Sequence, residues 1–249
     1  MIRTETIERD GRSIAVVLLD RPEKRNALTP DMLAALCTAL EEAPKTHDAV
    51  VLAGEGKLFC AGFDLSLCKD DPSGETMRKL LTRLSRACTI MRRTEKPVVI
   101  AAHGAAIAGG CALLGGGDVV VSDIHAKLGY PVTKIGVSPA VSAPFLSYNV
   151  TTGTSREMLL VPELVSGEAA HAKSLVHELV DLREDVRDKA ISIAANLADK
   201  PSHAYAATKS LLNQLEGTDD GEAFRLALDA SLALTGGEEE QRLLAQLDL

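Results

Sequence analysis

The stretch Val98-Val99-Ile100-Ala101-Ala102-His103-Gly104-Ala105-Ala106-Ile107-Ala108-Gly109-Gly110-Cys111 decides the fold. Its first five residues, opened by Pro97, are an unbroken apolar run of the kind that suits a strand covered on both faces. Glycine then appears where the strand must turn. Two other runs read the same way: Ala49 to Ala53, ending at Gly54, and Val119 to Val121, after the glycine-rich 109–117 stretch. Between them lie helical stripes. Leu33, Leu36, Cys37 and Leu40 follow Thr29-Pro30, a cap with proline in the first turn. Met77, Leu80, Leu81, Leu84, Cys88 and Met91 follow the break at Asp71-Pro72-Ser73-Gly74. Strand-then-helix units repeated over the first 130 residues imply an α/β core of parallel strands joined by crossover helices.

Outward from this centre, Ile2 to Glu8 alternates apolar and polar residues, and Ser13 to Leu19 follows Asp10-Gly11, which predicts a β-hairpin. From about Gly167 the pattern turns helical, with spans at Ala169 to Leu175, Val186 to Leu197, Ala204 to Leu215 and Ala223 to Leu234, punctuated by Pro201 and the 217–221 segment. The expected division is an α/β core over 1–184 and a C-terminal helical region over 185–249.

Composition narrows the function classes. Of 249 residues 46% are hydrophobic, only 3% are aromatic and none is Trp, so the core must be built from Leu, Val, Ile and Ala. A formal net charge of −8 disfavours nucleic acid and anionic membrane as partners. No apolar run reaches the roughly 18 residues of a membrane helix, and the opening Met1 to Arg12 has no signal-peptide core, so a cytoplasmic location is expected. Cys37, Cys60, Cys68, Cys88 and Cys111 form no C-x-x-C pair and no grouping with His, which predicts reduced buried thiols and no metal.

Two glycine-bearing turns are the candidates for chemistry. Phe59-Cys60-Ala61-Gly62-Phe63-Asp64-Leu65 follows the Ala49 strand, and Gly104 to Cys111 follows the Val98 strand. Free N–H groups at such turns can bind an anion or a developing oxyanion, and two that converge make an oxyanion hole. The plainer reading of each is a tight strand-to-helix turn. No phosphate-binding G-x-x-x-x-G-K-[ST] is present, and the glycines give no G-x-G-x-x-G in a first β-α turn.

These residues resemble the enoyl-CoA hydratase/isomerase (crotonase) family. Leu19-Asp20-Arg21-Pro22-Glu23-Lys24-Arg25-Asn26-Ala27-Leu28 is similar to its N-R-P-x-x-x-N-A-L segment, and Phe59 to Leu65 to its F-x-A-G-x-D-[LI]. His103-Gly104, Ala108-Gly109-Gly110-Cys111 and Asp118 follow its N-G…G-G-G-x-E-L…C-D block with changes. Ser166-Gly167 through Leu179-Val180-Asp181 and Ala207-Thr208-Lys209 match downstream segments, and the resemblance thins after about residue 215. It implies a crotonase-like spiral of ββα units with a C-terminal helical region, assembled as a homotrimer or a dimer of trimers. It implies an acyl-CoA substrate and no further cofactor, CoA being part of the substrate. The thioester carbonyl would sit on the backbone N–H groups of Phe63 and Gly109. Arg25, Ala27, Ala61, Gly62, Asp64, Leu65 and Tyr130 would contact the substrate or its CoA.

The sequence departs from the family at two positions. Where its hydratases carry glutamates, this chain has Ala112 and Val132. Neither can activate a water or move a proton. The aspartate of dienoyl-CoA isomerases would fall near Ala140. Replacement groups would be His103, Tyr130, Cys111 or Glu75, each with a structural alternative: a hydrogen bond, a packed phenol, an inert thiol, a helix N-terminal carboxylate. Asp64 and Asp118 read as structural caps, and Ser138 and Ser142 as loop residues able to line the acyl pocket. The readings left open are an enolate-stabilising enzyme without the glutamate pair, with malonyl-type decarboxylation as an example; a hydratase with a relocated acid/base; and a non-catalytic acyl-CoA-binding subunit.

Overall fold

The computed structural model describes residues 1–218 and 221–247. β1 (Ile2–Arg9) and β2 (Arg12–Leu19) form the expected hairpin, paired from Ile2↔Leu19 to Arg9↔Arg12. Asp10 and Gly11 both take positive φ, 54° and 74°, as a two-residue turn that follows strand twist requires. α1 (Pro30–Thr46) starts where Thr29 Oγ1 accepts the Met32 N–H at 3.1 Å. β3 (Ala49–Gly54) is followed by α2 (Leu65–Lys69) and α3 (Glu75–Arg93). β4 (Val98–Ala102), β5 (Ala105–Ile107) and α4 (Gly109–Leu114) come next, then β6 (Val119–Asp123) and β7 (Lys127–Gly129). Short 3-10 turns at Pro131–Ile135 and Pro139–Ser142 lead into α5 (Ala143–Asn149) and α6 (Thr152–Leu160). The rest is β8 (Leu164–Ser166), α7 (Gly167–Ala172), β9 (Glu178–Val180), α8 (Val186–Ala198), α9 (Ser202–Leu215), α10 (Glu222–Leu232) and α11 (Glu238–Ala245).

The strands make two sheets, one in the order β1-β2-β3-β4-β6-β9 and a smaller one in the order β5-β7-β8. From β2 to β9 the larger sheet is parallel. Each passage of the chain gives one strand to each sheet and then a helix: β4, β5, α4, and again β6, β7 and the helices after it. This is the expected ββα spiral. An earlier passage contributes only an isolated bridge, Cys60↔Ala106, to the small sheet.

The unbroken apolar strands follow from burial on both faces. Ala15, Val17, Val50, Leu52 and Ile100 face α1, α3 and α4. Ile14, Val16, Val51, Val99 and Val121 face Val186, Ala190, Ile191 and Ala194 of α8. The helix expected over Ala169 to Leu175 stops at Ala172, because Ser174 takes φ 65° and redirects the chain into β9. The helix expected to reach Leu234 ends at Leu232. α11 was not anticipated; it packs on α2 and on the Pro131–Ile135 turn. Of the break placed over 217–221, residues 219 and 220 lie outside the described residues.

Candidate active site

Two turns meet at one cavity. In the first, Leu28 donates its N–H to Gly62 O at 2.7 Å and accepts the Asp64 N–H at 2.9 Å. Both hydrogen bonds of this parallel bridge use Leu28's peptide groups, so the N–H of Phe63, its partner in the bridge, faces the other way. Ala61 N–H donates to Arg25 O at 3.0 Å, which fixes the start of the turn. In the second, Ala108 takes φ 53° and Gly109 opens α4. A first helical residue has no intrahelical acceptor for its N–H.

Glycines let the turns touch. Gly62 has φ +98°, and a Cβ there would lie 3.0 Å from Ile107 O and 3.1 Å from Ala108 Cβ. A Cβ on Gly109 would lie 2.9 Å from the Phe63 ring, and one on Gly110 would lie 2.6 Å from Cys60 O. The first turn is braced by Asn26, fully buried at φ 53°. Its Oδ1 accepts the Arg21 N–H at 2.9 Å, and its Nδ2 donates to Glu55 O at 2.8 Å and Leu58 O at 3.0 Å. Arg21 also pairs with Asp64 at 2.7 Å. Burial acts to raise the Asp64 carboxyl, but hydrogen bonds from Ser66 and Arg21 outweigh it and hold the group below its usual range.

The cavity between the turns has a volume of about 210 Å³. Phe63, Gly109, Ala61 and Leu65 of the two turns line it, with Met77, Leu81 and Leu84 of α3 and Val132, Ile135 and Val141. Its described lining carries no charged side chain; its polar side chains are Tyr130, Ser138 and Ser142. Tyr130 is buried, and burial raises its phenol well above the ordinary value, so it stays protonated. Burial likewise pushes the Cys111 thiol up to about 12.

Of the residues singled out from sequence, Phe63, Gly109, Ala61, Leu65, Tyr130 and Val132 line the cavity, and Ser138 and Ser142 join them. Gly62 and Asp64 support the first turn from behind. Arg25 is exposed and Ala27 half-buried on the adjoining loop. Ala112 is buried in the core beside the cavity, its carbonyl accepting the Cys88 thiol at 3.4 Å.

Glu75 does not face the cavity: its carboxylate is exposed and lies 3.6 Å from Lys79, its neighbour one helical turn on. His103 is held by Gly56 O at 3.1 Å. Asp118 accepts from Val98 N–H, Tyr205 and Lys209 at the far end of β4. The bracing roles of Arg21, Asn26 and Lys209 are not evident from sequence; an arginine and an asparagine in the short connection between the buried strand β2 and α1 are the available signal. Among the described residues no cluster of His, Cys, Asp or Glu could hold a metal ion, and no helix is long and apolar enough to cross a membrane.

Comparison with known proteins bears on the family and the fold. The family model described as enoyl-CoA hydratase/isomerase matches residues 9–239, well past the point where the motifs thin. A Thermus thermophilus protein named as a putative enoyl-CoA hydratase is 36% identical over 86% of each chain. The 1,2-epoxyphenylacetyl-CoA isomerase of Escherichia coli is 29% identical over 82% of this chain and 80% of its own. In fold, the crystal structure of an enoyl-CoA hydratase from Bacillus halodurans superposes with a TM-score of 0.86 over 99% of both chains, at 22% identity.

Proposed function

The chain belongs to the enoyl-CoA hydratase/isomerase family, and from that premise we propose that it binds an acyl-CoA thioester with its carbonyl oxygen on the N–H groups of Phe63 and Gly109 and stabilises the enolate that forms there. The observation that carries this is that two turns, each leaving one N–H without a partner in its own element, line the same apolar cavity. As the thioester becomes an enolate its oxygen gains charge, and fixed N–H donors in a site shielded from water favour that state. One such donor is worth about 3–4 kcal/mol of barrier. The Arg25–Leu28 loop and the Ala61–Leu65 turn, hydrogen-bonded to one another, form the shelf for adenine and pantetheine.

Hydration by paired carboxylates has no support, since Ala112 and Val132 occupy the two positions where the resemblance places glutamates. A relocated base fares no better: Glu75 is turned to solvent and the Tyr130 phenol holds its proton. An acyl carboxylate would meet no cation among the described residues that line this cavity and would be held unpaired by them. Loss of CO2 from a malonyl-type acyl group leaves its bonding pair as the enolate without any base, and a carboxylate held unpaired against apolar walls favours that loss, so the malonyl-type decarboxylation raised from the sequence is retained. The reaction proposed is an enolate-forming step that takes no α-proton: cleavage of the C–C bond of a malonyl-type acyl-CoA, with CO2 leaving, the electron pair passing to the oxygen held by Phe63 and Gly109, and the enolate then taking a proton from solvent.

For assembly we propose a trimer or a dimer of trimers. The exposed Leu211, Leu212 and Leu215 of α9, with Leu226 of α10, offer an apolar face for it. Calorimetric titration with butyryl-CoA and with S-butyl-CoA, which lacks the carbonyl, tests the binding mode. The thioester is expected to bind about tenfold tighter, as one or two hydrogen bonds warrant. Equal affinities would refute the placement of the carbonyl.

A further inference from the structure

The two N–H donors are not held alike. Gly109 opens α4, and the residue before it donates its N–H to Gly129 O at 2.8 Å, so that donor rests on a helix and on the small sheet. The Phe63 N–H rests on less. Its direction is set by an isolated bridge to Leu28 rather than by a ladder. The peptide that carries it joins Phe63 to Gly62, which sits at φ +98°. Glycine leaves its dihedrals free, so such a peptide plane turns easily unless something fixes it. The guanidinium of Arg21 is placed to do so. Its Nη1 donates to Ala27 O at 3.0 Å and to Asp64 Oδ2 at 2.7 Å. Ala27 precedes one member of the bridge and Asp64 follows the other, so a single nitrogen staples its two sides together.

Both ends of the staple are anchored. The Arg21 N–H donates to Asn26 Oδ1 at 2.9 Å, and Arg21 O accepts the Asn26 N–H at 2.9 Å. The Ser66 hydroxyl donates to Asp64 Oδ1 at 2.6 Å, which leaves Oδ2 to Arg21. The Arg21 side chain is 24% exposed and that of Asp64 12%, so the pair keeps its geometry better than one in open solvent would. Neither side chain is among those that line the cavity. Resting on the acyl-CoA reading above, we propose that Arg21 is a positioning residue: by clamping Ala27 to Asp64 it aims the Phe63 N–H at the thioester oxygen and holds it there as charge develops. A hydrogen bond weakens steeply as its angle opens, so a loosened clamp costs the bond to the carbonyl and leaves the rest of the ligand's contacts alone.

The test is calorimetric titration of the full chain with butyryl-CoA and with S-butyl-CoA, in the wild type, Arg21→Met and Asp64→Ala, with Tm measured for each. A preference of about tenfold for the thioester, shared between two N–H groups, gives each about threefold. Both variants are expected to keep the thioether affinity and to drop the preference to about threefold, the share left to Gly109. Infrared difference spectra of butyryl-CoA labelled at its carbonyl give a second readout. The bound carbonyl stretch is expected below that of the free ligand in the wild type and to move back up in both variants. The start of α2 takes no capping bond from the Asp64 side chain, so Asp64→Ala keeps the test decisive if Arg21→Met does not fold. A preference still near tenfold, with the carbonyl stretch where the wild type has it, overturns this inference alone, whatever the fall in Tm. Equal loss of affinity for both ligands does the same. Equal wild-type affinities for the two ligands overturn the placement of the carbonyl and this inference with it.

Discussion

Replacing Lys209 with Met removes one charge and keeps most of the side-chain stem. Lys209 reaches in from α9, its side chain 8% exposed, and its Nζ lies 2.7 Å from Asp118 Oδ2, 3.1 Å from Lys96 O and 3.2 Å from Met91 O. It thereby ties α9 to the end of α3 and to the start of β4. Removing one partner of a buried pair costs about 3–5 kcal/mol. Asp118 keeps the Val98 N–H at 2.8 Å and the Tyr205 hydroxyl at 3.1 Å, and its side chain is 16% exposed, which places the loss near the lower bound, at about 3 kcal/mol. At about 2–4 °C per kcal/mol for a chain of this size, Tm falls by about 6–12 °C. The assay is urea and thermal unfolding at fixed protein concentration. Adding Asp118→Asn to Lys209→Met removes the stranded charge and is expected to restore about 1 kcal/mol or more. A loss under about 1 kcal/mol for Lys209→Met would refute the reasoning.

Crotonyl-CoA hydration by the native protein is expected to fall far below the roughly 10 s⁻¹ median of enzymes, each positioned acid or base being worth about 10²–10⁴-fold. Ala112→Glu with Val132→Glu is expected to restore measurable water addition; a double variant that folds and binds acyl-CoA but adds no water means that the cavity has diverged in shape as well. Burial lowers the pKa of His103 below its ordinary 6.5 despite the bond to Gly56, so below that pH the unfolded chain takes up the proton first and stability falls on acidification until the folded pKa is passed. His103→Gln should flatten the change in urea midpoint between about pH 7.5 and about pH 5.5, and an unchanged slope would exclude His103 as its source. Gly110→Ala, whose Cβ would meet Cys60 O at 2.6 Å, should cost about 1–3 kcal/mol. Gly11→Ala, with open space around it, should cost only the left-handed backbone, about 1 kcal/mol. Thermal unfolding of the pair checks that order.

What could be read from sequence was what repeats or punctuates. Asp10-Gly11 gave the hairpin turn, Thr29-Pro30 the start of α1, and the double-faced apolar runs the parallel strands. The small sheet was invisible because β5, β7 and β8 are three residues each, too short to show a period. α5 and α6 carry Pro144 and Gly153 and weak apolar patterning, and α11 opens on three glutamates, so none advertises a buried face. At the site, the turns bearing Phe63 and Gly109 were legible because glycine marks them. That Glu75 turns away while Tyr130 lines the cavity depends on side-chain direction, which linear spacing does not encode.

The central claim is that one thioester oxygen sits on two backbone N–H groups. A crystal structure of the protein soaked with acetoacetyl-CoA tests it most directly. The account predicts the thioester oxygen about 3 Å from both the Phe63 and the Gly109 nitrogen, the usual length of such a bond. A thioester oxygen bound elsewhere, or to neither nitrogen, would contradict it.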